Sequence, residues 1–265
     1  MQNNAEHRIL LVNDDGIEAP GIKLLENIAR RFTDDVWVVA PDEEKSGASH
    51  SLSITQPVRV REVGDRRFAI KGTPTDCALL AVYELMTDRR PTMLLSGINR
   101  GANLAEDLTY SGTAAAAMEG TLLGIPSVAI SQVFVLGGDT HWATSERFLP
   151  PLLESLLAWE EWTPGLFVNI NFPDVPPEDV RGVRVTTQGQ RPPGAFIPER
   201  RLDGREVPYY WIRLSYPEGN AHPDTDLEAM LHNQVSVTPM HLNLTAHEAR
   251  ASLARAMPKD LPTGD

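Results

Sequence analysis

Two adjacent aspartates, Asp14 and Asp15, follow the apolar run Ile9-Leu10-Leu11-Val12 and precede Gly16. Successive side chains of a strand point to opposite faces, so both carboxylates address one ligand only if the chain turns directly after the strand. Gly16 permits that turn. Two carboxylates held together repel, and a bound divalent cation neutralises them. Asp-Asp-Gly also fits an ordinary turn, because both residue types favour turns. Further hard oxygen atoms occur at comparable places: the hydroxyl of Ser46, in the polar stretch 41–53, and the amide oxygen of Asn99, just beyond residues 93–96. Oxygen ligands suit magnesium or manganese better than zinc. None of the 7 histidines lies in a His-Glu-x-x-His pattern, and the lone Cys77 cannot build a thiolate cluster. Taken singly, Ser46 also reads as a loop residue and Asn99 as a backbone cap.

A second kind of chemistry is anion binding. Tyr110-Ser111-Gly112-Thr113 stands immediately before a run of small residues that reads as a helix. Unpaired N–H groups and the dipole at such a helix start attract phosphate, with the Ser111 and Thr113 hydroxyls as additional donors. The same hydroxyls also fit a plain helix cap. Asn103 lies within reach of the same anion, and Gly97, Gly101 and Gly112 allow close backbone approach. The sequence lacks Gly-x-Gly-x-x-Gly, a P-loop and a Gly-x-Ser-x-Gly elbow. Its aspartates are adjacent and not separated by one residue, which disfavours an aspartyl-phosphate intermediate. Cys77 reads as a small buried residue and His50 as a solvated loop histidine.

The elements that position these residues follow from hydrophobic patterning. Apolar, β-branched runs at 9–12, 36–40, 93–96, 128–131 and 166–170 alternate with helical periodicities starting at Pro20, at the Thr73 cap, at Gly112 and at Ser145. That alternation predicts an α/β fold with a mostly parallel sheet and flanking helices. The polar clusters follow strands, and ligands of open parallel sheets bind outside the strands' carboxyl ends, so they are expected to converge. Beyond about residue 186 prolines, glycines and charges surround short strand-like pieces at 209–214 and 235–237, followed by a closing helix at 244–256. The expected division is a core over 1–186, a β-rich extension over 187–240, and a helix and tail over 241–265.

The 265 residues carry 24 Lys+Arg against 36 Asp+Glu, a net of −12. This balance opposes nonspecific binding to duplex nucleic acid or anionic membranes. An acidic chain that handles phosphate needs a local device, such as a metal ion or a helix N-terminus. The polar start, the absence of a spanning apolar stretch and the single cysteine fit a cytoplasmic protein.

Taken together, several stretches resemble the SurE family of survival proteins, which are metal-dependent 5'/3'-nucleotidases and acid phosphatases. They are Asn13 to Gly16 with Ala19-Pro20-Gly21-Ile22; Val38 to Asp42 leading to Ser46-Gly47-Ala48-Ser49; and Gly72 to Cys77. Ser96-Gly97-Ile98-Asn99, Gly101 to Leu104, Tyr110 to Thr113, Asp224-Thr225-Asp226 and Val235 to Pro239 complete the set. The resemblance implies a Rossmann-like core with a C-terminal β-hairpin extension exchanged between subunits of a homodimer or homotetramer. It also implies one divalent ion per subunit, magnesium or manganese, on Asp14, Asp15, Ser46 and Asn99, with a nucleoside monophosphate as substrate and metal-activated water as nucleophile. Asp14 and Asp15 are thereby the expected catalytic residues, and Asn103, Ser111, Gly112 and Thr113 the expected phosphate-binding ones. Two positions depart from the family pattern: Ala105 and Asn233 stand where glycine is usual. A broader phosphatase or exopolyphosphatase, and a non-catalytic nucleotide-binding regulator, are the alternatives.

Overall fold

The structure is a computed structural model and describes residues 7–135, 137–194, 196–214 and 222–258. The polar N-terminal residues 1–6 and the end of the expected tail, 259–265, lie outside the described residues.

The chain runs β1 (Ile9–Val12), α1 (Pro20–Ala29), β2 (Val36–Pro41), β3 (Arg59–Gly64), β4 (Arg67–Lys71), α2 (Pro74–Leu80), β5 (Met93–Arg100) and α3 (Gly112–Leu122). It continues with β6 (Ser127–Gln132), α4 (Trp142–Leu157), β7 (Leu166–Phe172), β8 (Val183–Val185), β9 (Phe196–Leu202), β10 (Pro208–Leu214), α5 (Asp226–Leu231), β11 (Val235–His241) and α6 (His247–Ala256). One sheet has the order β3-β4-β2-β1-β5-β6-β7-β11-β8. Neighbours from β4 through β7 are parallel; β3 and β11 are antiparallel to β4 and β7. The expected α/β fold is therefore present.

Strand alternation distributes the core to both faces. Ile9, Leu11, Val36 and Val38 pack on one face with Ile22, Leu25 and Ile28 of α1 and Leu149 and Leu153 of α4. Leu10, Val12, Val39 and Leu94 pack on the other with Cys77 and Ala78 of α2 and Ala116 of α3. Helix α2 begins as its sequence dictates: Thr73 Oγ1 accepts from Asp76 N while Asp76 Oδ2 accepts from Thr73 N, a reciprocal capping box with Pro74 at the first turn.

The chain leaves β1 towards β2 on one side and later enters β5 on the other. β1 and β5 thus adjoin at the point where strand order reverses, with Val12 opposite Ser96. A crevice opens outside carboxyl ends at such a point. Val235–His241, expected within the extension, is a strand of the main sheet between β7 and β8. β9 and β10 form a separate two-stranded antiparallel sheet.

Candidate active site at the β1/β5 switch point

Residue 13 is the first after β1, and its side chain shapes the turn: Asn13 Nδ2 donates to Gly16 O at 2.8 Å. Gly16 sits at φ +98, a conformation L side chains avoid. The turn leaves Asp14 at 4% exposure, and Thr113 Oγ1 donates to Asp14 Oδ1 at 2.5 Å. Helix α3 starts against this carboxylate because residue 112 lacks a side chain. A Cβ there would lie 2.8 Å from Asp14 Cβ and 2.9 Å from Asp14 Oδ2. Asp15 is held from β5, whose Arg100 N donates to Asp15 Oδ2 at 3.0 Å. Each carboxylate is thus held at the ends of β1 and β5: Asp14 by the Thr113 hydroxyl and by backbone N–H groups of Asp14 and Thr113, Asp15 by Arg100 N–H.

The electrostatics of this pair are unfavourable without a cation. Burial pushes Asp14 up to about 6, opposed by the Thr113 hydroxyl and reinforced by the charge of Asp15. Burial also raises Asp15; the Arg100 N–H opposes this and the charge of Glu44 adds to it. Both groups would ionise freely beside a cation.

Asn99 donates its Nδ2 to Gly101 O at 3.1 Å, which leaves the amide oxygen to accept or ligate. Ser46 is exposed, and its Oγ donates to Glu44 Oε1 at 2.8 Å, so its lone pairs are uncommitted. The loop carrying Ser46 reaches the turn through its neighbour, with Lys45 N donating to Asp14 O at 2.8 Å. Among the described residues no group of three or more His, Cys, Asp or Glu converges. Two carboxylates with neutral oxygens nearby are a donor set for a hard divalent ion.

The anion-binding residues are placed differently from one another. Ser111 is the cap of α3, and its Oγ accepts from Ala114 N at 2.9 Å. Thr113 spends its hydroxyl proton on Asp14 and so is not the free phosphate donor expected from the sequence, whereas the Ser111 hydroxyl, an acceptor in its cap bond, keeps its proton to donate. Asn103 is buried in a polar spine: its Nδ2 donates to Ser131 Oγ, its N–H to Asn171 Oδ1, and its carbonyl accepts from Asn169 and Asn171 Nδ2. Asn103 thus anchors the loop between β5 and α3, with one of its two amide hydrogens used on Ser131. His50, expected in solvent, pairs through Nε2 with Glu119 Oε2 at 2.9 Å, against α3.

Sequence reading missed Asn169, Asn171 and Arg100. The two asparagines alternate on one face of the buried strand Leu-Phe-Val-Asn-Ile-Asn-Phe, and two amides at that period in an apolar run signal a buried polar function. Asp226 was read only as part of a C-terminal motif. Its carboxylate accepts from Ala105 N, Gly189 N and Leu227 N, which locks the β5–α3 loop to the segment after β8.

A family model described as Survival protein SurE matches residues 9–194. A 5'-nucleotidase SurE of Parvibaculum lavamentivorans is 48% identical over 252 residues, covering 94% of this chain and 91% of that protein. The 5'-nucleotidase SurE of Methylorubrum extorquens is 50% identical over 240 residues, 90% of this chain and 94% of its own length. The crystal structure of the SurE protein from Aquifex aeolicus superposes with a TM-score of 0.81 at 36% identity, over 94% of this chain and 99% of that one. With the family model spanning most of the chain and relatives near half identity over nearly all of it, this chain belongs to the SurE family.

Proposed function

We propose that the cleft at the ends of β1 and β5 is where this chain hydrolyses nucleoside monophosphates to nucleoside and inorganic phosphate, the activity named for its relatives. The observation that carries the assignment is the adjacent pair of buried Asp14 and half-buried Asp15, whose raised carboxyls, Asp14 also repelled by Asp15, call for a cation at the sheet's switch point. Asp14, Asp15, Asn99 and Ser46 would hold one divalent ion, magnesium or manganese. Such an ion, when bound, polarises a phosphoryl oxygen and lowers the pKa of a coordinated water.

The remaining work belongs to the chain. Thr113 fixes the rotamer of Asp14, and Arg100 N–H fixes Asp15, so the carboxylates are oriented before ligands arrive. The Gly112 N–H at the start of α3, together with the helix dipole, favours phosphoryl oxygens beside them. Asn103, held by Ser131, Asn169 and Asn171, keeps the β5–α3 loop rigid behind the phosphate.

We also read the β9–β10 hairpin as the contact for a homodimer or homotetramer. A lone two-stranded hairpin is marginal in water, yet this one exposes Tyr210 and Trp211 at 58% each and Ile212 at 67%. A nucleotide substrate and a buried free Cys77 fit a cytoplasmic setting.

The deciding experiment is phosphate release from a nucleoside monophosphate with added manganese, with and without chelator, for the wild type and for Asp14→Asn and Asp15→Asn. Loss in both variants, with circular dichroism unchanged, is expected. Full metal-stimulated activity in correctly folded variants sinks the assignment.

A further inference from the structure

Arg100 closes β5, one residue beyond Asn99, and its backbone N–H rests on Asp15 Oδ2. Its side chain is held twice by the connection between β6 and α4. Nε donates to Thr140 Oγ1 at 2.9 Å, and the guanidinium lies over the Phe134 ring, 4.3 Å from the centroid. Stacking fixes the plane and the Nε bond fixes its rotation. The Nη1 and Nη2 groups are left for another acceptor, and the guanidinium forms no ion pair with a carboxylate among the described residues. Lys45, the other fully cationic side chain in the segments lining the cleft, is spent on Glu43 at 2.5 Å.

An immobilised guanidinium with no ion-pair partner among the described residues, its charge reaching Asp15 only through space, is unusual in a chain of net charge −12, where carboxylates are plentiful. The charge count at the cleft gives it a purpose. Asp14 and Asp15 balance one divalent ion, so a phosphate dianion arriving there has no counter-charge from that set. We infer that Arg100 is a substrate-binding residue whose free guanidinium edge receives phosphoryl oxygens of the nucleoside monophosphate. This rests on the cleft being the hydrolytic site. A planar fork held in advance suits two phosphoryl oxygens and loses little freedom on binding.

The test measures KM and kcat for a nucleoside monophosphate, and Ki for inorganic phosphate, on the full chain with manganese, for wild type, Arg100→Ala, Arg100→Lys and Phe134→Ala. In Arg100→Ala, KM and the phosphate Ki are expected to rise together by about tenfold, with kcat falling by less than about threefold. Arg100→Lys should recover part of the loss, and Phe134→Ala, which keeps the charge but frees it, should lose a smaller part. All differences should shrink as salt rises. Ki does not depend on the fraction of active protein, so partial misfolding cannot imitate the result. An unchanged phosphate Ki in Arg100→Ala, or a fall in kcat alone, overturns the inference. With Asp14→Asn inactive in the same assays, that outcome removes Arg100 alone; an active Asp14→Asn removes the hydrolytic assignment itself.

Discussion

Thr113 Oγ1 donates to Asp14 Oδ1 at 2.5 Å, joining the first turn of α3 to the end of β1 through a buried, charge-assisted hydrogen bond. The bond, with the backbone N–H of Thr113, selects one carboxylate rotamer. Thr113→Val keeps the shape and removes the donor. It should raise the manganese concentration for half-maximal hydrolysis by about tenfold, whereas Thr113→Ser should stay near wild type. Calorimetric titration with manganese checks this independently of turnover. Equal metal affinity in Thr113→Val and wild type would show that Asp14 orients itself.

Asp14 also sets a conflict between function and stability. Its folded value, about 6, lies above the ordinary carboxylate value because it is buried. The folded metal-free chain therefore binds this proton more tightly than the unfolded chain. The group adds stability as pH falls from about 7 towards 4, and at neutral pH its ionised form costs roughly 3 kcal/mol. Asp14→Asn should consequently raise the metal-free stability at neutral pH by about 1–3 kcal/mol while abolishing activity. Denaturant titrations with chelator at neutral and acidic pH measure both parts. The variant's advantage should shrink on acidification, and an advantage that grows there contradicts the account. Metal affinity of the wild type should fall below about pH 6, where a proton competes for Asp14.

Packing behind the cleft is as demanding as the cleft itself. A Cβ at Gly21 on α1 would lie 1.9 Å from the carbonyl oxygen of Ile98, backbone that leads directly to Asn99. Gly21→Ala must push α1 off β5, at a cost of about 3 kcal/mol or more. Loss of thermal stability together with weaker metal activation is expected. A variant with wild-type melting temperature would mean the helix shifts freely.

Much of this was legible because the central strands are buried on both faces and so read as continuous apolar runs. Asp14 and Asp15 stood out as charges abutting such a run. The β3–β4 hairpin did not, since Arg59–Gly64 is an edge strand whose exposed, charged residues carry little apolar pattern. β8 has three residues, too few for a period. Thr113 was recognised as a hydroxyl near an anion site, but its partner proved to be a carboxylate of the protein. That pairing depends on α3 docking onto β1, a tertiary relationship with no local sequence signal. Arg100 escaped notice for the same reason, as Phe134 and Thr140 reach it from a distant connection.

The oligomer contact has a direct test. On β10, Tyr210 and Ile212 share one face of the hairpin while Tyr209 and Trp211 share the other, so neither face is polar. Trp211→Glu combined with Ile212→Lys should lower the mass in solution to that of a single chain, measured by light scattering. The main sheet does not include this hairpin, so the far-ultraviolet circular dichroism should be retained. An unchanged mass places the contact elsewhere.

The two positions that depart from the family's glycines, Ala105 and Asn233, both lie in the left-handed region, at φ +51 and +54. A Cβ in that conformation costs about 1 kcal/mol for alanine and less for asparagine, which tolerates it. Ala105 is held there from both sides: its N–H donates to Asp226 and its carbonyl accepts from Gln188 Nε2, each at 2.8 Å. Ala105→Gly relieves the strain but adds freedom to the unfolded chain, so a net gain of about 0.5 kcal/mol is expected. Asn233 ends α5, and Asn233→Gly should fall within about 0.5 kcal/mol of wild type, while Asn233→Ala should lose about 1 kcal/mol. Denaturant midpoints at unchanged slope rank the three variants. If Ala105→Gly is the least stable of them, the hydrogen bonds from Asp226 and Gln188 do not strain this residue, and its side chain is packing productively in the β5–α3 loop.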